Sequence, residues 1–146
     1  MANDMVMRWG PCSTTNAIAA GAILPGDLIE VIAAAGATNG QVQRHATAAG
    51  RAAPLFANLN SPYGGGIADA YAIGDTVIVV VPSPGALIYA RCASGTAISK
   101  GAALESAGGG LLRTLAAGVA IAEAVEGELA AGDPTPGRLV VRIIAQ

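Results

Sequence analysis

The sequence predicts an all-β fold, a compact barrel or sandwich of short antiparallel strands carrying an extended N-terminal arm. Three observations lead there. Short apolar runs recur at a spacing of about ten residues, as in barrels and sandwiches. Proline and glycine separate them, at Pro25-Gly26, at Asn39-Gly40, across 82–85 and at Gly108-Gly109-Gly110. The longest run, Thr76 to Val81, is β-branched throughout, which is unfavourable against a helical turn and suits a pleated sheet.

The elements follow in chain order. Residues 1–15 read as an arm and 16–146 as one β-rich domain. The arm holds all three methionines and the single tryptophan. Met5, Met7 and Trp9 alternate, so an extended segment shows them on one face. That face suits either a first strand packed into its own core or an arm docked on a neighbour. "LPGDLIEVIA" turns at Pro25-Gly26 and enters a short strand. Asn39-Gly40 is a hairpin signal, because both residues tolerate positive φ. "PLFANL" is strand-like, and 61–75 is a glycine-rich loop. "GDTVIVVVPSPGALIYAR" reads as two apolar strands of one hairpin, the first central and buried on both faces. "TAISKGAALESAGGGLLRTL" reads as a strand, a glycine turn and a short partner. Residues 111–132 are ambiguous. Leucine, alanine and glutamate favour a helix, yet Val119, Ile121, Glu123 and Val125 alternate with alanines as in a strand. Leu139 to Ile144 closes the chain as a final strand.

Composition narrows the function. A chain of 146 residues suits one domain. Only 12% of it is charged, whereas soluble surfaces usually carry about 25–35%. A folded monomer of this mass exposes roughly 6,800 Å². Either small neutral residues pad that surface or other subunits cover part of it. The net charge is −2, and the scattered arginines form no basic patch, so nucleic acid is not an expected partner. No apolar run reaches the ~18–20 residues of a membrane helix, and no secretory signal is expected. Cys12 and Cys92 show no spacing logic and read as two inert thiols.

Reactive chemistry is sparse. His45 is the single histidine, so any Ser/His/Asp or Cys/His engine has to use it. It lies near no marked nucleophile in the sequence and reads as a surface or satisfied loop histidine. Cys12, Cys92 and His45 do not make a zinc site. No phosphate loop, calcium loop or cofactor motif occurs. Asp27, Asp75 and Asp133 each follow a glycine, as turn residues do. Glu123, Glu126 and Glu128 read as a solvated edge. Neither an enzymatic activity nor a cofactor or metal is expected.

The order of several short motifs resembles a known family. Arg44-His45-Ala46-Thr47 precedes Ala53-Pro54-Leu55-Phe56-Ala57. Asp69-Ala70-Tyr71 precedes Gly74-Asp75, then Pro84-Gly85. Ile98-Ser99-Lys100-Gly101 follows, with Leu104-Glu105-Ser106. Across about residues 40–144 this resembles the tailed-bacteriophage head decoration proteins, also called capsid cement proteins. Gly108-Gly109-Gly110 departs from the family's Gly-Asp-Gly hairpin, and the N-terminal segment matches nothing in it. The resemblance implies a β-rich virion protein, trimeric or clustered, on the outer surface of the capsid. It implies the major capsid protein and further copies of itself as partners. It also implies a strand at 118–126 in place of the helix. Candidate interface residues are Met5, Met7, Trp9, Phe56, Tyr63 and Tyr71. The alternative is a small β-barrel that binds a small ligand or carbohydrate in an aromatic-lined pocket.

Overall fold

Runs of small and β-branched residues cut by glycine and proline form strands and little else. The structure, a computed structural model, describes residues 6–32, 40–60, 64–93, 97–125 and 137–144. Among these residues every regular element is a strand, as expected. One sheet has six strands, in the order β1 (Met7–Trp9), β7 (Leu87–Cys92), β11 (Gly137–Ile143), β10 (Ala122–Ala124), β8 (Ala103–Gly108) and β9 (Leu111–Thr114). The other has five, in the order β3 (Ile29–Ile32), β4 (Gln41–Arg44), β2 (Cys12–Ala19), β6 (Thr76–Pro82) and β5 (Phe56–Ala57). In the first sheet β9 also meets β7 through a parallel bridge, Cys92 opposite Leu112. Five strands thereby close a small ring, which leaves few free edges, with β1 attached outside it.

Alternation along these strands builds the core. Ile88, Ala90 and Cys92 from β7 face Leu104, Leu112, Ala122, Val141 and Ile143 inside the ring. Leu28, Phe56 and Val80 from the second sheet complete the same cluster. A second cluster lies on the other side of β6, where Val77 and Val79 meet Ala19, Ile23, Val42 and Tyr71. The middle of β6 is therefore buried on both faces. Tyr71 pairs with Ile23 by an isolated bridge, and its hydroxyl donates to the Asn58 carbonyl at 2.7 Å. The 64–75 loop thus covers the outer face of the second sheet.

The expected β6–β7 hairpin is not formed. β6 pairs with β2 and β5, and β7 pairs with β1 and β11 in the other sheet. Residues 83–86 make a corner between sheets. Pro82 and Pro84 have no N–H to give a hairpin ladder, and the Ser83 amide instead donates to the Pro11 carbonyl at 3.0 Å. β1 and β2 change sheets beside it, through Gly10-Pro11. Two strand pairs cross the sandwich together at this corner.

The N-terminal segment is woven in. Val6 is fully buried, β1 pairs with β7, and β2 runs through residue 15 beside β6. An arm boundary at 15 therefore falls inside a strand; residues 1–5 lie outside the described residues. Met7 and Trp9 do not share a face, because the register slips between Met7–Ile88 and Trp9–Leu87. The bulge turns Met7 onto the core and leaves Trp9 69% exposed.

Other expectations fare well. β8 and β9 form the glycine-turned hairpin; Gly108, Gly109 and Gly110 all have positive φ (81°, 61° and 78°), which three consecutive glycines supply without strain. Within 111–125 the strand reading holds, since β10 sits between β8 and β11. β3 and β4 are antiparallel neighbours, although Asn39 lies outside the described residues.

One carboxylate ties the two sheets. Asp27 has no exposed surface. Its Oδ2 accepts from Arg44 Nε of the second sheet at 2.7 Å and from the Leu24 amide at 2.8 Å. Its Oδ1 accepts from Arg91 Nη1 of the first sheet at 2.6 Å. Beside it, the Gly26 amide donates to Ala57, and the Gly26 carbonyl accepts from the Arg91 amide. Two outcomes test this layout by urea denaturation. Asp27→Ala leaves Arg91 uncompensated and lowers stability by about 3–5 kcal/mol. Gly10 has φ of 93°, and a Cβ there would lie 2.9 Å from the Ala86 Cα. Gly10→Ala accordingly loses about 1–3 kcal/mol by distorting the corner.

Candidate functional surface and buried polar groups

Among the described residues, His45 and the buried acids Asp27 and Glu105 are occupied within the fold. His45 follows β4 and is 2% exposed. Its Nε2 lies 3.2 Å from the Arg51 carbonyl, which only accepts, so Nε2 carries the proton. Nδ1 then accepts from the Ser106 hydroxyl at 2.7 Å. Ser106 Oγ in turn accepts from the Gly108 amide at 3.2 Å, and a Glu30 carboxylate oxygen stands 3.7 Å from His45 Nε2. A serine, a histidine and an acid in line suggest an acyl-transfer engine. This one is sealed: Ser106 has no exposed surface, so no scissile carbonyl reaches its hydroxyl. The group fastens the loop after β4 to the β8–β9 hairpin. His45 is a satisfied histidine, as the sequence suggests. Ser106 lies 61 positions away, and no local signal marks it.

Glu105, on β8, is likewise buried. It accepts from Arg113 Nε at 2.9 Å and from the Gly118 amide. Burial pushes its carboxyl up. Hydrogen bonds from the Gly118 amide, the Arg113 side chain and the Ala116 amide outweigh that and hold it below its ordinary value of 4.5. The thiols are both free. Burial pushes Cys92 up to about 12 despite a backbone hydrogen bond at Leu139, and burial also raises Cys12. Neither is a ready thiolate. Among the described residues no group of three His, Cys, Asp or Glu could hold a metal ion.

Turn roles fit part of the acidic set. Asp75 Oδ2 accepts from the Ala72 amide at 2.8 Å. Asp27 does the same for Leu24 but is chiefly the sheet tie, a role its turn position hides. Asp133, Glu126 and Glu128 lie outside the described residues, and Glu123 pairs with Arg142 at 2.7 Å.

The candidate interface residues separate. Trp9 is exposed and Met7 half-buried. Phe56 and Tyr71 are fully buried and belong to the two core clusters, so they offer no surface to a partner. Both are large apolar side chains on bridged positions, which is why they turn inward. Met5 and Tyr63 lie outside the described residues. Open clefts among the described residues include three of about 290, 460 and 170 Å³. None of these three is lined by an aromatic residue.

Among the described residues, β2 has one edge with no strand beside most of its length. β2 pairs with β6 from Cys12 to Ile18 but with β4 only at Ile18 and Ala19. Along residues 12–17 no described strand flanks the other side. The Pro11 carbonyl accepts from Ser83 and the Ala19 amide donates to Asp75, so odd-numbered residues of β2 bond to β6. Cys12, Thr14 and Asn16 therefore turn their N–H and C=O groups away from it. The Ile18 amide keeps that phase by donating to the Gly40 carbonyl at 3.0 Å. Ser13, Thr14, Thr15 and Asn16 are all exposed, so β2 itself shows side chains to solvent on both faces there. Edges are usually guarded by charge, proline or a bulge; β2 carries no charged residue.

Ionised Glu105 contributes stability that is complete above its unfolded value near 4.5 and is lost as pH falls through its lower folded value. Glu105→Gln accordingly melts below wild type at pH 7, and thermal scans show the gap closing as pH falls below 4.5.

No protein-family model matches the sequence, and no curated protein matches it. Among solved structures the chain is similar to the head fiber gp8.5 N base of bacteriophage phi29. The TM-score is 0.60 at 14% identity, over 91% of this chain and 94% of that one, so the two share a fold from end to end.

Proposed function

We propose that this chain is a structural virion protein that binds the outside of an assembled phage capsid and cements adjacent coat subunits. The observation that carries the reading is the end-to-end likeness to the base of a phage head fiber. It joins the motif order that resembles the decoration proteins. The fold supplies what such a role needs, a stiff all-strand body with adhesive area, and its Ser–His pair is sealed. The protein is non-enzymatic and acts as a homotrimer, so that each particle touches several coat subunits at once and gains avidity. Binding the lattice and not the loose subunit stabilises the lattice by linkage, about 2.7 kcal/mol per site at a hundredfold excess over Kd.

Incubation of the purified protein with undecorated, expanded heads of its own phage tests this. The expected outcome is saturable co-sedimentation and a higher temperature of DNA release, with light scattering giving a trimer mass. A protein that remains in the supernatant at all concentrations refutes the reading.

A further inference from the structure

Residues 115–119 form a strap across the face of β8 opposite Leu104, and one side chain holds its middle. The Leu115 amide donates to the Ala103 carbonyl and the Ile121 amide to the Leu104 carbonyl, each at 2.8 Å. Between those anchors the Ala116 and Gly118 amides both donate to the Glu105 carboxylate. Leu115, Ala116, Ala117 and Val119 are exposed, so little apolar burial adds to these bonds. Gly118 is the inward residue of the strap: a Cβ there would lie 2.6 Å from the Ala49 carbonyl oxygen. Ala49 itself has φ of 57°, a left-handed conformation uncommon for a residue with a Cβ. The strap thus rests on the 46–50 loop, and Glu105 has no exposed surface beneath it.

We propose that residues 115–119 are an acid-released strap and that the ionised Glu105 side chain is its latch. The inference stands apart from the capsid reading. Segments tied by few buried contacts open locally at low cost, and here the polar ties converge on one titratable group. A carboxylate accepts amide protons through charge-assisted bonds, about twice as strong as neutral ones. The protonated acid loses that advantage and carries a hydroxyl hydrogen that needs an acceptor of its own. The charged groups around the latch are few. Arg113 stands directly opposite Glu105 on β9 and donates Nε at 2.9 Å; it is 36% exposed and meets water when the latch opens. Glu123, on β10, lies opposite Ala103 and is held by Arg142. His45 bonds Ser106, whose side chain leaves the other face of β8. The strap and the 46–50 loop carry no charge, and Arg51 beyond that loop is exposed. Burial raises the Glu105 carboxyl, but the bonds from Gly118, Arg113 and Ala116 more than offset it, so its folded value lies below 4.5. The latch is therefore complete above pH 4.5 and is lost as pH falls through that lower value.

The test is residue-resolved amide exchange on the full chain, read as protection relative to intrinsic exchange at each pH. Ala116 and Gly118 are expected to lose about tenfold in protection between pH 7 and pH 3, while amides of β7 and β11 keep theirs. Glu105→Gln removes the charge and is expected to show the low protection at 116 and 118 already at pH 7, with no further fall on acidification. Arg113→Ala leaves the carboxylate and both strap amides in place. It is expected to move the midpoint of the loss to higher pH, because it removes one of the bonds that lower the carboxyl. Protection at 116 and 118 that stays level down to pH 3 overturns the proposal. A loss there that tracks β7 and β11 also overturns it, since that is global acid unfolding, and so does a midpoint that Arg113→Ala leaves in place. Should Glu105→Gln not fold, wild type and Arg113→Ala decide between these outcomes.

Discussion

Asp27 sits where the two sheets meet and offers its carboxylate to both of them. Arg44 approaches from the five-stranded sheet and Arg91 from the six-stranded one. Arg91 is nearly buried and Arg44 about one-third exposed, so the pairing is partly desolvated. Such a pair contributes little net stability over apolar packing, but removing one partner strands a buried charge. Its value lies in geometry. It holds the 24–28 turn so that Leu28 reaches Phe56 and the Leu28 amide reaches the Gly110 carbonyl. The closed ring and the open sheet are thereby locked into one rigid body, on which any surface feature depends.

That lock also explains where the few charges go. Asp27, Arg44, Arg91, Glu105, Arg113, Glu123 and Arg142 are all engaged in ion pairs within the fold. Arg138 is spent in the same way, donating to the Pro25 and Ile67 carbonyls. Among the described residues the exposed remainder is mixed: Arg51, Asp69, Asp75 and Lys100 beside small neutral residues, with Trp9, Val31 and Ile73 among the exposed apolar ones.

The same economy governs the histidine. A Ser–His pair with an acid nearby is useful to an enzyme only if the hydroxyl is reachable. Here the β8–β9 hairpin and the loop after β4 close over it, and the hydrogen bonds serve to hold that hairpin.

The sequence alone determined the local character of many elements, though not of β1 and β2, which read as an arm. β-branched runs made β6 and β11, and three glycines made the β8–β9 turn, whereas helical composition and alternation left 111–132 tied and only the family resemblance favoured the strand found at Ala122–Ala124. The first two are short-range effects, set by χ1 sterics and by which residues tolerate positive φ. Tertiary structure decided which strands pair. The apolar runs on either side of Pro82 look like one hairpin, yet each finds a better partner in a different sheet, and no local pattern reveals that choice. The arm shared the same limit: whether Met7 and Trp9 face a core or a neighbour depends on a register slip against β7. Phe56 and Tyr71 could not be separated from surface aromatics before the bridges to Leu28 and Ile23 were known. The parallel pairing of β2 with β4 at Ile18 and Ala19 was equally invisible. It joins residues far apart in the chain, and only the assembled sheets bring them side by side.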